Sequence, residues 1–271
     1  MMMFGSLRSG GEFMKQTAVK IKAMKGSQKI ATLTAYDYLT ARYVDEAGIP
    51  VVLVGDSLAN TVLGYETTLP VTMDEMVHHT AAVARGVKDA LIVADMPFMS
   101  YQGTLEHALE NAGRFIKEGR ADAVKIEGGA MRADLIDKLV ANGIPVLGHI
   151  GLLPQSVKET GYKMQGKTDE SARKLMDDAM ALEQAGVFAI VLECVPAELA
   201  QKLTAALTVP TIGIGAGPYC DGQVLVFTDA LGMGHGRVPG FVKKFADLKP
   251  QIQDALATYK KEVESSAFPE R

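Results

Sequence analysis

Seven polar residues stand out because each sits at the end of a short apolar run. Asp56 and Ser57 follow PVVLVG, and Asp95 follows LIVA. Lys125 and Glu127 lie in AVKIEGG, His149 in PVLGHIG and Glu193 in FAIVLEC. Any one Asp in such a place is more often a turn former or helix cap than a ligand. Asp37, just before a helical stretch, and Asp229 keep that reading. If the runs are parallel strands, the others share one mouth, and independent capping explains them less well. An isolated buried charge is prohibitively costly, so several carboxylates at one mouth ask for a cation.

The donor set is carboxylate oxygen, without a Cys or His cluster. It points to a hard ion, Mg²⁺ before Mn²⁺, and away from Zn²⁺. Mg²⁺ takes one or two carboxylates and fills its octahedron with water and substrate oxygens. Asp56 and Asp95 supply the two. Glu127 binds directly or through a water. Lys125, two residues before Glu127, points the same way on a strand. It is either an ion-pair partner or a cation for a substrate carboxylate or a developing enolate. Schiff-base chemistry is less attractive beside a metal that already provides the electrophile. His149, ahead of a long loop, is either a satisfied core residue or a substrate contact. Glu193 follows mainly apolar residues, which disfavour its charged form and suit it to act as a general base. His78, His79 and His107 fall on helical patterns and are expected at the surface. His235 sits in a Gly-rich loop. GIGAG (213–217) suggests either backbone phosphate binding or a tight turn with close packing. No P-loop, nucleophile elbow or zinc spacing appears.

The elements that must position these residues are legible as eight apolar runs: 29–36, 50–57, 91–97, 123–129, 145–151, 188–194, 211–217 and 223–229. Most are continuous rather than alternating, as in strands covered on both faces. Helical patterns separate them. Thr72 and Glu75 have capping-box spacing. Gly48 and Gly143 are placed to terminate helices. Leu105, Ala108, Leu109, Ala112 and Ile116 form one apolar face. A last helical stretch is expected from about Gly240 to Val263. Alternation of this kind predicts right-handed crossovers, and eight of them predict a closed (β/α)₈ TIM barrel in a single α/β domain. A doubly wound open sheet is the rival. Too few residues separate Gly217 from Gln223 for a seventh helix. The long segments 57–71 and 151–168 follow strands and so belong to the catalytic face.

The 271 residues suit one such barrel, and no apolar run is long enough to span a membrane. A net charge of −4 argues against a nucleic-acid surface. The two cysteines, Cys194 and Cys220, lack a secretory context for a disulfide. Residues 1–16 have no apolar core for a signal peptide and are expected to be a flexible leader ahead of a barrel over 17–271. The cytoplasm is the expected location.

Taken in order, TAYDYLTARYVDEAGI, VGDSLANTVLGYETTLPVTMDEM, ADMPFMSY, VKIEGG, GHIGLLPQ, VLECVP and GIGAG resemble the ketopantoate hydroxymethyltransferases. The resemblance runs from about residue 17 to the FP near 268. It implies transfer of a one-carbon unit from 5,10-methylenetetrahydrofolate to 3-methyl-2-oxobutanoate, giving 2-dehydropantoate. It implies Mg²⁺ on Asp56 and Asp95, with Glu127 in the third acidic position. Asp56, Ser57, Asp95, Lys125 and His149 would contact the 2-oxo acid, and Glu193 would accept the proton. It also implies a cytoplasmic homodecamer. Two other readings stand beside it. One is a Mg²⁺-dependent lyase acting on a 2-oxo-acid carbon–carbon bond without folate. The other is a non-catalytic barrel, which the retained acidic set and Lys125 argue against.

Overall fold

The computed structural model describes residues 15–161, 163–234 and 239–270. Eight parallel strands close into a barrel in chain order. They are β1 (Ile30–Thr34), β2 (Val51–Val54), β3 (Leu91–Asp95), β4 (Ala123–Glu127), β5 (Val146–Gly151), β6 (Ala189–Glu193), β7 (Thr211–Ile214) and β8 (Gly222–Leu225). The expected open-sheet alternative is thereby excluded: β8 pairs with β1, Ile30 opposite Gly222.

Strand alternation explains the barrel's filling. Val51 and Leu53, Leu91 and Val93, and Ala189 and Val191 point inward and build an apolar plug. Ile21, on the N-terminal helix Ala18–Ala23, belongs to the same plug. The next inward positions along the same columns are Asp95, Lys125 with Glu127, His149 and Glu193. A period of two thus carries each strand from apolar core to polar mouth without a change of face. The outward positions pack under the helices in a second apolar layer.

Thr72 caps Met73–Gly86 with the full capping box, its Oγ1 accepting from Glu75 N and Glu75 accepting from Thr72 N. Asp37 caps Tyr38–Glu46, as its position implied. Four details differ from the sequence reading. The face of Leu105–Lys117 that packs inward centres on Ala108, Asn111, Ala112 and Phe115, while Leu105 is largely exposed. Asn111 is tolerated there because its amide donates to Ser100 O. The eighth strand ends at Leu225, and Phe227–Ala230 turns into a short helix that includes Asp229. The last helix starts at Leu248, not near Gly240. Residues 15 and 16, assigned to the leader, hydrogen-bond to the barrel, Lys15 Nζ to Ala90 O and Gln16 N to Asp89 O. The rest of the leader and His235 lie outside the described residues. Both cysteines are free.

Barrel closure leaves no room at Gly222. A Cβ there would lie 2.3 Å from the Ile30 carbonyl oxygen. Gly222→Ala should therefore cost about 1–3 kcal/mol, as overpacking does. Gly240→Ala meets nothing within 4 Å and should stay within about 0.5 kcal/mol of the parent. Urea unfolding of both variants checks the pair.

Candidate active site

The mouth of the barrel holds a cavity of about 430 Å³. Asp56, Ser57, Asp95, Lys125, Glu127, His149 and Glu193 all line it. Register brings the groups side by side: Asp95 opposite Lys125, Glu127 opposite His149, and Gly151 opposite Glu193. Asp56 and Ser57 enter from the turn after β2. The backbone N–H of Asp56 donates to Asp95 Oδ2 at 2.9 Å. Gly55 leaves room for the Ser57 hydroxyl, since a Cβ would fall 2.7 Å from Ser57 Oγ.

Asp56, Asp95 and Glu127 are buried around one ammonium. Lys125 Nζ lies 2.7 Å from Asp95 Oδ1 and 3.9 Å from Glu127 Oε1. Burial opposes the Lys125 charge, but Asp95, Glu127 and Asp56 outweigh it and raise its pKa. Burial also raises the Asp95 pKa against the pull of Lys125. Asp56 fares worst. Burial, Asp95 and Glu127 push its pKa up to about 8. The site is thus short of positive charge, and in the free protein a proton on Asp56 makes up part of the deficit.

His149 is also buried. Its Nδ1 is 3.3 Å from Lys125 Nζ and 3.6 Å from Glu127 Oε1, and its Nε2 is 3.2 Å from Glu193 Oε2. Burial and Lys125 oppose its protonation, but Glu127 and Glu193 prevail and raise its pKa from 6.5 to about 9. Glu193 therefore has a cationic neighbour that its apolar run did not reveal. Its side chain is 17% exposed, the most open of the mouth's acids with a partner in the cluster. The residue after it, Cys194, has a φ of 47°. Its N–H donates to Ile214 O, and its carbonyl accepts from Gln165 N. The kink is therefore held from both sides. Burial and Glu193 push the Cys194 thiol up to about 11, so it is no nucleophile at neutral pH.

Several site residues had no role in the sequence reading. Tyr36 Oη is 2.9 Å from Ser57 Oγ and fixes that hydroxyl. His79, expected at the surface, is half-buried, and its Nδ1 donates to Tyr36 O at 2.6 Å. Gln155 contacts both Asp56 and Glu127. Asp229, read as a turn former, lines the cavity, and burial raises its pKa. The rim beside it is apolar: Val226, Met233, Pro239, Phe241 and Val242. The only hint in the sequence was the position of Tyr36 and Asp229 near strand ends. The glycines of GIGAG serve close packing. A Cβ on Gly215 would meet Phe241 at 2.8 Å, and one on Gly217 would meet Ala197 at 2.5 Å.

The residues fit a hard divalent cation. Glu127 Oε1 is buried with no hydrogen-bond partner among the described residues. Among those residues no three His, Cys, Asp or Glu form a ready-made metal cage. Mg²⁺ needs none, since water and substrate complete its shell.

The closed barrel has counterparts of the same fold among solved structures. Phosphoenolpyruvate phosphomutase from Streptomyces platensis superposes with a TM-score of 0.61 at 15% identity, over 93% of this chain and 88% of that one. A 2,3-dimethylmalate lyase gives 0.59 at 17%, over 95% and 91%. At such identities the likeness concerns the fold alone. Closer relatives are far more specific. The 3-methyl-2-oxobutanoate hydroxymethyltransferase of Syntrophomonas wolfei is 58% identical over 90% of this chain and 89% of its own. That of Carboxydothermus hydrogenoformans is 59% identical over 94% and 93%. The family model for ketopantoate hydroxymethyltransferase matches residues 15–271. The chain belongs to the ketopantoate hydroxymethyltransferase family and is an enzyme.

The charge deficit has a measurable consequence. Asp56 keeps its proton in the folded chain up to about pH 8, but the unfolded chain loses it near 4. Stability due to charged His149 is complete below 6.5 and is lost as pH rises through about 9. Between pH 6.5 and 8.5 the folded state therefore holds more protons than the unfolded one, and stability must fall as pH rises. Urea unfolding in EDTA at several pH values checks this. A flat or rising free energy over that interval would contradict the shifts at both residues.

Proposed function

We propose that this enzyme transfers a hydroxymethyl group from 5,10-methylenetetrahydrofolate to 3-methyl-2-oxobutanoate, giving 2-dehydropantoate in pantothenate biosynthesis. The observation that carries the reading is the buried acidic cluster, short of positive charge, at the floor of the cavity. It sits in a chain more than half identical to transferases of that name. A small 2-oxo acid suits the polar floor, and a folate suits the apolar rim of Val226, Met233, Phe241 and Val242. Among known proteins, the lyase reading is supported by fold likeness below 20% identity alone.

Asp56 and Asp95 are the proposed Mg²⁺ ligands, with Glu127 third, directly or through water. When bound, the ion would supply Lewis-acid stabilisation of charge on the keto oxygen. Ser57, fixed by Tyr36, and Lys125 hold and orient the substrate carboxylate. His149 adds a contact and fixes Glu193 through the 3.2 Å approach of Nε2 to Oε2. Glu193 takes the C3 proton, which lies alpha to the keto group. The electron pair of the broken C–H bond then forms the new bond to the folate methylene carbon. The methylene carbon's bond to N10 opens as the new bond forms, N10 receiving the proton taken by Glu193. Water then displaces N5 from that carbon, its oxygen becoming the product hydroxyl and its proton going to N5, and tetrahydrofolate leaves.

Glu193→Gln should lose exchange of the C3 proton of 3-methyl-2-oxobutanoate into deuterated water, by at least about 100-fold. NMR of the substrate reads this directly, and normal exchange would remove Glu193 as the base. Product formation by the parent should require the methylene folate. Cleavage of a hydroxy diacid without folate would favour the lyase instead.

We further propose a cytoplasmic homodecamer. Among the described residues no helix is long and apolar enough to cross a membrane. The helix Leu248–Glu264 buries none of its residues in the single chain, and Ile252, Leu256, Tyr259 and Val263 stand exposed along it. Such a stripe suits packing against another copy. Light scattering should give about ten chains of 29.0 kDa, and Leu256→Glu with Tyr259→Glu should yield smaller species. A monomeric parent would end this reading.

A further inference from the structure

We infer that Gln155 is a positioning residue that selects the cation, by pinning one oxygen of Asp56 and one of Glu127. The inference rests on the metal reading above. Gln155 begins the long segment after β5, on the turn Pro154–Ser156, and is 5% exposed. Its backbone N–H donates to Glu127 Oε2 at 3.1 Å. Its Nε2 donates to Asp56 Oδ2 at 3.1 Å and to Met96 O at 2.9 Å. Its Oε1 accepts from Tyr101 Oη at 2.8 Å and from Gln102 Nε2 at 3.1 Å.

Every hydrogen-bonding position of the amide is filled. Its orientation is fixed as well, because the Met96 carbonyl can face only the NH₂ end. The third acid is pinned in the same way, Asp95 Oδ2 by the Asp56 N–H. Each carboxylate thus spends one oxygen on an amide donor; of the others, Asp95 Oδ1 meets Lys125 Nζ at 2.7 Å and Glu127 Oε1 has no hydrogen-bond partner among the described residues. Two of those three pins come from Gln155. A carboxylate with one oxygen engaged is set to bind one-handed. That suits the octahedral shell of Mg²⁺ and handicaps Ca²⁺, which takes six to eight oxygens and can fill its larger shell with bidentate carboxylates. Gln155 is thereby a determinant of ion choice and not simply a buried polar residue that stabilises the loop.

The test is calorimetric titration of the full-length enzyme, with 3-methyl-2-oxobutanoate present, using Mg²⁺ and Ca²⁺ in turn. Gln155→Met keeps the length of the side chain and removes the pin on Asp56, while the backbone N–H at 155 still holds Glu127. It should lower the ratio of Mg²⁺ to Ca²⁺ affinity by about tenfold. Tyr101→Phe removes one of the two donors to the amide oxygen and should move the ratio the same way by a smaller factor. It serves alone if the first variant does not fold. A purely structural role would lower the unfolding temperature in EDTA and leave the ratio unchanged, and that result would overturn the inference. Absence of Mg²⁺ binding by the parent would instead overturn the metal reading, and this inference with it.

Discussion

Asp56, Asp95 and Glu127 repel one another in a medium that screens poorly, and only Lys125 stands among them as a permanent cation. The interaction strength of such a group rises steeply as water is excluded. Much of the surrounding structure answers that repulsion. Lys125 sits closest to Asp95, amide donors engage an oxygen of each acid, and His149 draws a proton from solvent to face Glu127 and Glu193. Asp56, which has no cationic side chain within ion-pair distance among the described residues, stays protonated to about pH 8. A folded state arranged this way is stabilised by anything that brings positive charge to the mouth. A divalent cation is the natural supplier, and the same ion is what enolate chemistry needs.

Parallel pairing makes the cluster possible. In a closed barrel of this kind, inward positions of neighbouring strands meet in layers. The lower layers are apolar, with Val93, Ala123, Leu147 and Val191 in contact. The upper positions carry Asp95, Lys125, Glu127, His149 and Glu193. The apolar plug beneath keeps water from reaching the acids from below, which is why their charges matter so much. Slipping any one strand by a single residue would turn its polar group outwards and its covering residue inwards. Register and chemistry are therefore specified together.

The strands were legible because burial on both faces leaves a continuous apolar signature that ends abruptly at a polar residue. The capping box of Thr72 and Glu75 was legible because it is local. Gln155 was not. Its amide has no characteristic spacing, and its partners lie 28 and 99 residues away in the chain. His79 was misread for a related reason. A helical position looks exposed until a tertiary partner, here the Tyr36 carbonyl, approaches it. The eighth strand was overextended because VLVFTD is equally apolar as strand and as the short helix that follows β8. Asp229 was set aside because a single Asp ending an apolar run is more often a turn former or cap than a ligand, whereas here it lines the cavity.

The rim differs from the floor in what holds it. The floor is cross-braced by strands, while the rim residues Pro239, Phe241 and Val242 belong to the segment between β8 and the last helix. Backbone hydrogen bonds from Phe245, Leu248 and Lys249 to Ala230, Leu231 and Gly232 tie the end of that segment and the start of the last helix to the short helix bearing Asp229 and the turn after it. The helix Leu248–Glu264 beyond it buries nothing in the single chain. Helices of this length draw most of their stability from packing. Whatever covers its exposed stripe would therefore steady the rim as well, through the same three hydrogen bonds. In the proposed homo-oligomer, subunit contacts and the folate-facing wall would then share one support, while the acidic floor would remain the business of a single barrel.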